Sequence, residues 1–65
     1  MTEVGKAIAE ARKKAGMTQV ELAKAIGVTQ SQIANWESGW RNPKLEALMK
    51  ISDALKIDIV DLIDL

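Results

Sequence analysis

The segment Thr18-Gln19-Val20-Glu21-Leu22-Ala23-Lys24-Ala25-Ile26-Gly27-Val28-Thr29-Gln30-Ser31-Gln32-Ile33-Ala34-Asn35-Trp36 decides how this chain folds, because it writes a helix start twice in quick succession. Thr18 with Glu21 has the capping-box spacing, in which hydroxyl and carboxylate each satisfy a backbone N–H left open at a helix N-terminus. Leu22, Ala23 and Ile26 recur as an inner face, and Gly27 can take the left-handed backbone that ends a helix. Thr29 with Gln32 repeats the start signal only three residues after Ile26, so another helix must begin almost at once. Two short helices therefore meet across a tight turn. On the second, Ile33 and Trp36 stand three apart and face inward, whereas Gln30, Ser31, Ala34 and Asn35 point elsewhere and Ser38-Gly39 closes the element.

Upstream, Val4, Ile8, Ala11 and Ala15 step by four, three and four along one helical stripe, with Thr2 as N-cap and Gly16 as stop. Downstream, Trp40-Arg41-Asn42-Pro43 reads as a loop, since the residue before proline is pushed out of helical geometry. Leu45, Leu48, Met49, Ser52 and Leu55 trace the inner stripe of a fourth helix with Ile51 at its flank. Asp58 then caps a last short helix carrying Ile59, Leu62 and Ile63. Nothing alternates with period two. The expected fold is all-α: one compact five-helix bundle in which residues 1–65 form a single domain.

The chain has 65 residues, and nine Lys plus Arg balance nine Asp plus Glu. Neutrality argues against a nonspecific polyanion binder, and so short a chain has no room for an enclosed substrate cavity. The charge is unevenly placed: residues 1–44 carry a net +3 and residues 45–65 a net −3, a basic working end and an acidic far end. With no histidine and no cysteine there is no convincing activated-nucleophile pair, which argues against catalysis. Asp58, Asp61 and Asp64 recur every third residue, but as a cap, a first-turn residue and a chain end they make no transition-metal shell. No metal, cofactor or enzymatic activity is expected. No apolar run approaches a membrane span and no signal-peptide layout opens the chain, so the expectation is a soluble, cytoplasmic protein.

Two short helices joined around Gly27, with small Ala23 where they must approach, make a helix-turn-helix arrangement. Around it stand Ala11-Arg12, Gly16-Met17-Thr18-Gln19, Glu21-Leu22-Ala23, Ile26-Gly27-Val28, Ile33, Trp36-Glu37, Gly39, Asn42-Pro43, Leu45, Leu48, Ile51 and Ala54-Leu55. In order and spacing these resemble the Cro/C1-type helix-turn-helix family of phage and bacterial transcriptional repressors, over nearly the whole chain. The resemblance implies sequence-specific binding to double-stranded DNA, with the third helix, about residues 30–38, in the major groove and the second crossing the backbone above it.

Residue by residue, Gln30, Ser31 and Asn35 match the family's base-reading positions, with Gln32 close enough to assist with a base or a phosphate. Gln and Asn pair bidentately with adenine, so at least one A·T pair per half-site is expected. Four uncharged hydrogen-bonding side chains without Lys or Glu are also unusual on a merely solvated helix face. Thr18 and Gln19 match backbone-contacting positions at the start of the second helix, where open amides meet a phosphate and Gln19 braces Gln30. Ser38, Arg41, Asn42 and Lys44 fall where the family grips the sugar-phosphate backbone. Arg12 and Glu37 match a structural ion pair joining the first and third helices, and Lys13-Lys14 reads as a solvated helix end.

Some residues depart from the family pattern. Lys44 replaces a small capping hydroxyl, leaving Asn42 or water to satisfy the amides of the fourth helix, and Lys56 stands where glycine is common. Trp40 either covers the core edge or packs on a sugar face. Val60, Ile63 and Leu65 exceed what one inward face can use and read as a dimer patch. A homodimer on a palindromic operator, with half-sites about one helical turn apart, is the expected assembly. The alternative is a protein-interaction module, an antitoxin or adaptor, built on the same fold.

Overall fold

The computed structural model describes residues 3–63. Four α-helices follow in order: α1 (Glu3–Lys14), α2 (Gln19–Ile26), α3 (Gln30–Ser38) and α4 (Leu45–Leu55). No strand occurs among the described residues. Ile8, Leu22, Ile33, Ile51 and Leu62 are fully buried at the centre, with Ala23, Ile26, Trp36, Leu48 and Leu55 completing the core. No helix among the described residues is long and apolar enough to cross a membrane.

Both capping boxes form. Thr18 Oγ1 accepts from the Glu21 N–H at 3.0 Å while Glu21 Oε1 accepts from the Thr18 N–H at 2.8 Å. Thr29 and Gln32 make the same exchange at 3.2 and 3.0 Å. Gly27 ends α2 in left-handed backbone (φ 77°), and its N–H returns to the Ala23 carbonyl. Ala23, 3% exposed, lets α2 and α3 close on each other, so the helix-turn-helix angle follows from one small side chain and one permissive turn residue.

Three expectations are corrected. The fifth helix is one turn of 3-10 helix, Ile59–Asp61, and the Asp58 side chain caps nothing. Three residues per turn suffice here, because that geometry sets Ile59 and Leu62 on one side and drives Leu62 into the core. On α4, Ile51 is central rather than flanking, and Leu45 and Met49 of the expected inner stripe are 63% and 55% exposed. At about 100° per residue, Ile51 falls beside Leu48 and Leu55, whereas Met49 rotates out of that arc. Ala15 is exposed rather than on the buried stripe of α1. The expected cap Thr2, and Asp64 and Leu65, lie outside the described residues.

Gly5 carries a constraint that its position in mid-helix does not announce. A Cβ there would overlap the Trp36 carbonyl oxygen and stand 2.8 Å from the Glu37 carbonyl oxygen. Only a residue without a side chain lets the α1 backbone approach α3 so closely. At the far end of α4, Lys56 is left-handed (φ 57°, ψ 46°), a conformation costing roughly 1 kcal/mol for a residue with a Cβ.

Candidate nucleic-acid interface

The outer face of α3 begins immediately after the Thr29 cap, so its first turn is fixed by the same hydrogen bonds that start the helix. Gln30, Ser31 and Gln32 are exposed there, and Asn35, one turn on, is half-buried. Gln32 Oε1 is occupied by the cap, accepting from the Thr29 N–H at 3.0 Å and from the Thr29 hydroxyl at 3.4 Å. Its outward contribution is therefore a donor only, which removes the bidentate adenine contact open to a free glutamine. No acidic residue stands in the first turn of α3, so nothing there opposes a phosphate-lined partner.

Gln32, Asn35, Arg41, Asn42 and Lys44 line one open groove of about 810 Å³ between α3, the following loop and the start of α4. The loop is tied to α3 through Asn35 and Ser38. The Arg41 N–H donates to the Asn35 carbonyl at 3.1 Å, and the Ser38 hydroxyl donates to that carbonyl while accepting from the Trp40 N–H. Ser38 thus belongs to α3 and anchors the loop rather than standing in it. Trp40 is 75% exposed, so it does not cover the core edge.

On the other flank, the expected phosphate site at the start of α2 is narrower than the sequence implied. Glu21 takes the Thr18 N–H and Thr18 takes the Glu21 N–H, leaving only the Gln19 and Val20 amides without an intrahelical partner. Lys44 makes no side-chain cap at the start of α4.

Behind the outer face lies a polar seam. Arg12 is 8% exposed; its Nε donates to Glu37 Oε2 at 2.6 Å, its Nη2 to Glu37 Oε1 at 3.1 Å, and its Nη1 to the Met17 carbonyl at 2.8 Å. Gln19 Nε2 also donates to Glu37 Oε1, at 3.0 Å, and Gln30 Nε2 donates to Gln19 Oε1 at 3.4 Å. Burial alone would raise the Glu37 carboxyl. The hydrogen bonds from Arg12 and Gln19 and the charges of Arg12 and Lys13 outweigh it and hold that carboxyl below the usual carboxylate range. The hydrogen bond to Glu37 raises the Arg12 guanidinium against an opposing burial effect. Met17, as the carbonyl partner of Arg12, and Gly5, as the close contact of α1, are the structural residues that sequence reasoning missed. Glycine in mid-helix is the one signal that could have exposed the second.

Of the expected dimer patch, Val60 is 58% exposed, Ile63 is half-buried against the core, and Leu65 lies outside the described residues. Leu45 and Met49 add exposed apolar surface on α4.

A helix-turn-helix family model matches residues 8–62, both capping boxes and the core included. The chain belongs to the Cro/C1-type helix-turn-helix family of phage and bacterial transcriptional regulators. It is 35% identical over 54 residues to the transcriptional regulator ImmR of Bacillus subtilis, covering 83% of this chain and 42% of that protein. It is 40% identical over 55 residues to the CTXphi phage transcriptional repressor RstR of Vibrio cholerae, covering 85% of this chain and 49% of that one. The chain thus spans about half the length, or less, of these two relatives. Among solved structures, the biofilm master regulator SinR in complex with DNA superposes with a TM-score of 0.88 at 32% identity, covering 94% of this chain and 98% of that one.

Proposed function

We propose that this chain binds double-stranded DNA sequence-specifically as a transcriptional regulator, most simply a repressor, with α3 in the major groove and no enzymatic step. The observation that carries the reading is the outer face of α3: uncharged amide and hydroxyl groups, preset by a cap and flanked by Arg41 and Lys44. Gln30, Ser31 and Asn35 read base edges, and Gln32 adds a donor to a base or a phosphate. Phosphates meet the Gln19 and Val20 amides on one side and Arg41, Asn42 and Lys44 on the other, with Thr18 and Ser38 holding those elements in place. Trp40 lays its ring on a neighbouring sugar face. The protein works in the cytoplasm, where its DNA lies.

The longest dimension of the described residues is 28 Å, whereas half-sites one helical turn apart are separated by about 34 Å. One copy therefore reads one half-site, and a homodimer joined through Val60 and its neighbours, Ile63 and Leu65, reads a palindromic operator. Sedimentation showing only monomer at high concentration, with and without operator, would contradict the dimer.

Selection from a randomised duplex library tests the whole reading. The expected result is a two-fold symmetric motif, bound more weakly as salt rises and lost when Gln30 and Asn35 are replaced by alanine. Flat enrichment would instead favour a module whose main surface neutralises a protein.

A further inference from the structure

We propose that Glu37 is a positioning residue that decides which purine Gln30 accepts, by fixing the amide polarity of Gln19 and, through it, of Gln30. The inference rests on the reading of α3 as the base-contacting helix. Glu37 sits at the inner end of the seam, its side chain 8% exposed and held ionised by Arg12. An ionised carboxylate only accepts hydrogen bonds, so the Gln19 atom 3.0 Å from Glu37 Oε1 must be Nε2. Gln19 then turns its Oε1 toward Gln30, whose Nε2 lies 3.4 Å away. That carbonyl oxygen also only accepts. Reversing either amide would set two acceptors or two donors face to face, so the polarity runs one way from the buried ion pair to the exposed tip.

The consequence falls on Gln30, which keeps its Oε1 and second N–H for a partner, in a fixed sense. Adenine offers the N6 donor and N7 acceptor in the major groove, the complement of that pair, whereas guanine offers two acceptors, O6 and N7. A glutamine free to turn about its last torsion could bring its NH₂ to guanine. The braced one sets its oxygen against guanine O6 instead. Arg12 and Glu37 thus act on specificity without touching a base.

The test compares binding to the selected duplex with binding to a copy in which the A·T pair facing residue 30 is changed to G·C. Gln19→Met removes the link. The double variant Arg12→Met/Glu37→Gln replaces the ion pair by neutral groups and frees the residue-37 amide to turn. In both, the preference for adenine over guanine is expected to fall about tenfold. Lost phosphate contacts would weaken both duplexes alike and leave that ratio unchanged. Thermal unfolding is followed in parallel, and if the double variant does not fold, Gln19→Met decides. Weaker binding with an unchanged ratio would overturn the role of Glu37 while Gln30, if its alanine variant removes the preference, still reads the base. A wild-type protein with no preference for adenine at that pair, or a Gln30→Ala variant that retains one, would overturn both.

Discussion

On its inner side α3 lies so close to α1 that no side chain fits at Gly5, and Glu37 is clamped by a guanidinium that is itself 8% exposed. On its outer side the same helix presents Gln30, Ser31 and Gln32 to solvent, with no charge among them. The difference separates two jobs along one nine-residue helix. Close backbone contact and a paired charge fix its orientation, and neutral donors and acceptors are then held ready for a partner. The helix starts differ in the same sense. Glu21 closes the cap of α2 with a carboxylate, which suits the helix dipole, whereas α3 uses Gln32. The neutral cap forgoes a few tenths of a kilocalorie per mole and keeps negative charge off the face that would meet phosphates.

The contrast breaks most severely at Glu37. Replacing it by alanine strands the Arg12 charge, and denaturant unfolding is expected to show a loss of about 3 kcal/mol. The native carboxyl lies below its ordinary value, so its stabilisation is present above the usual carboxylate range and is lost as pH falls through the lower folded value. Acid titration of wild type against Glu37→Gln should show that dependence only in the wild type. Gly5→Ala comes next. On an open helix this change stabilises by about 1 kcal/mol, but the Trp36 and Glu37 carbonyls make it destabilising here by about 2 kcal/mol, so the sign of the change is the readout.

The outer face is sharpened by Gln32→Glu. Stability should hold or rise slightly, because a carboxylate at this cap favours the helix start, while affinity for duplex falls about tenfold under phosphate repulsion. Equal losses of both would mean that the two faces are not separable. The smallest effect belongs to Lys56→Gly, which relieves the left-handed backbone after α4 and should raise stability by about 1 kcal/mol with DNA affinity unchanged.

Sequence carried the local signals of this fold well. Thr18 with Glu21 and Thr29 with Gln32 are short-range hydrogen-bond pairs whose spacing is their geometry, and both form. The placement of Ile51 and Met49 is a matter of helix phase. Both are apolar, and at about 100° per residue only Ile51 shares the arc of the buried Leu48 and Leu55. The final 3-10 turn likewise looked like a helix, because Ile59 and Leu62 share a side in either geometry. Gly5 was illegible for a different reason. Its role depends on the Trp36 and Glu37 carbonyls, more than thirty residues away in sequence. At the site, residue types were readable but their remaining hydrogen-bond capacity was not. That Gln19 gives its Nε2 to Glu37, and that the Ser38 hydroxyl is spent between the Asn35 carbonyl and the Trp40 N–H, emerges only from the coordinates.

The central claim, that the outer face of α3 meets base edges, is tested most directly by nuclear magnetic resonance during titration with the selected duplex. The side-chain NH₂ signals of Gln30 and Asn35 should shift strongly, with the Arg41 and Lys44 backbone amides following and the Trp36 indole unmoved. Shifts confined to Val60, Leu45 and Met49, with those side-chain amides unchanged, would contradict it.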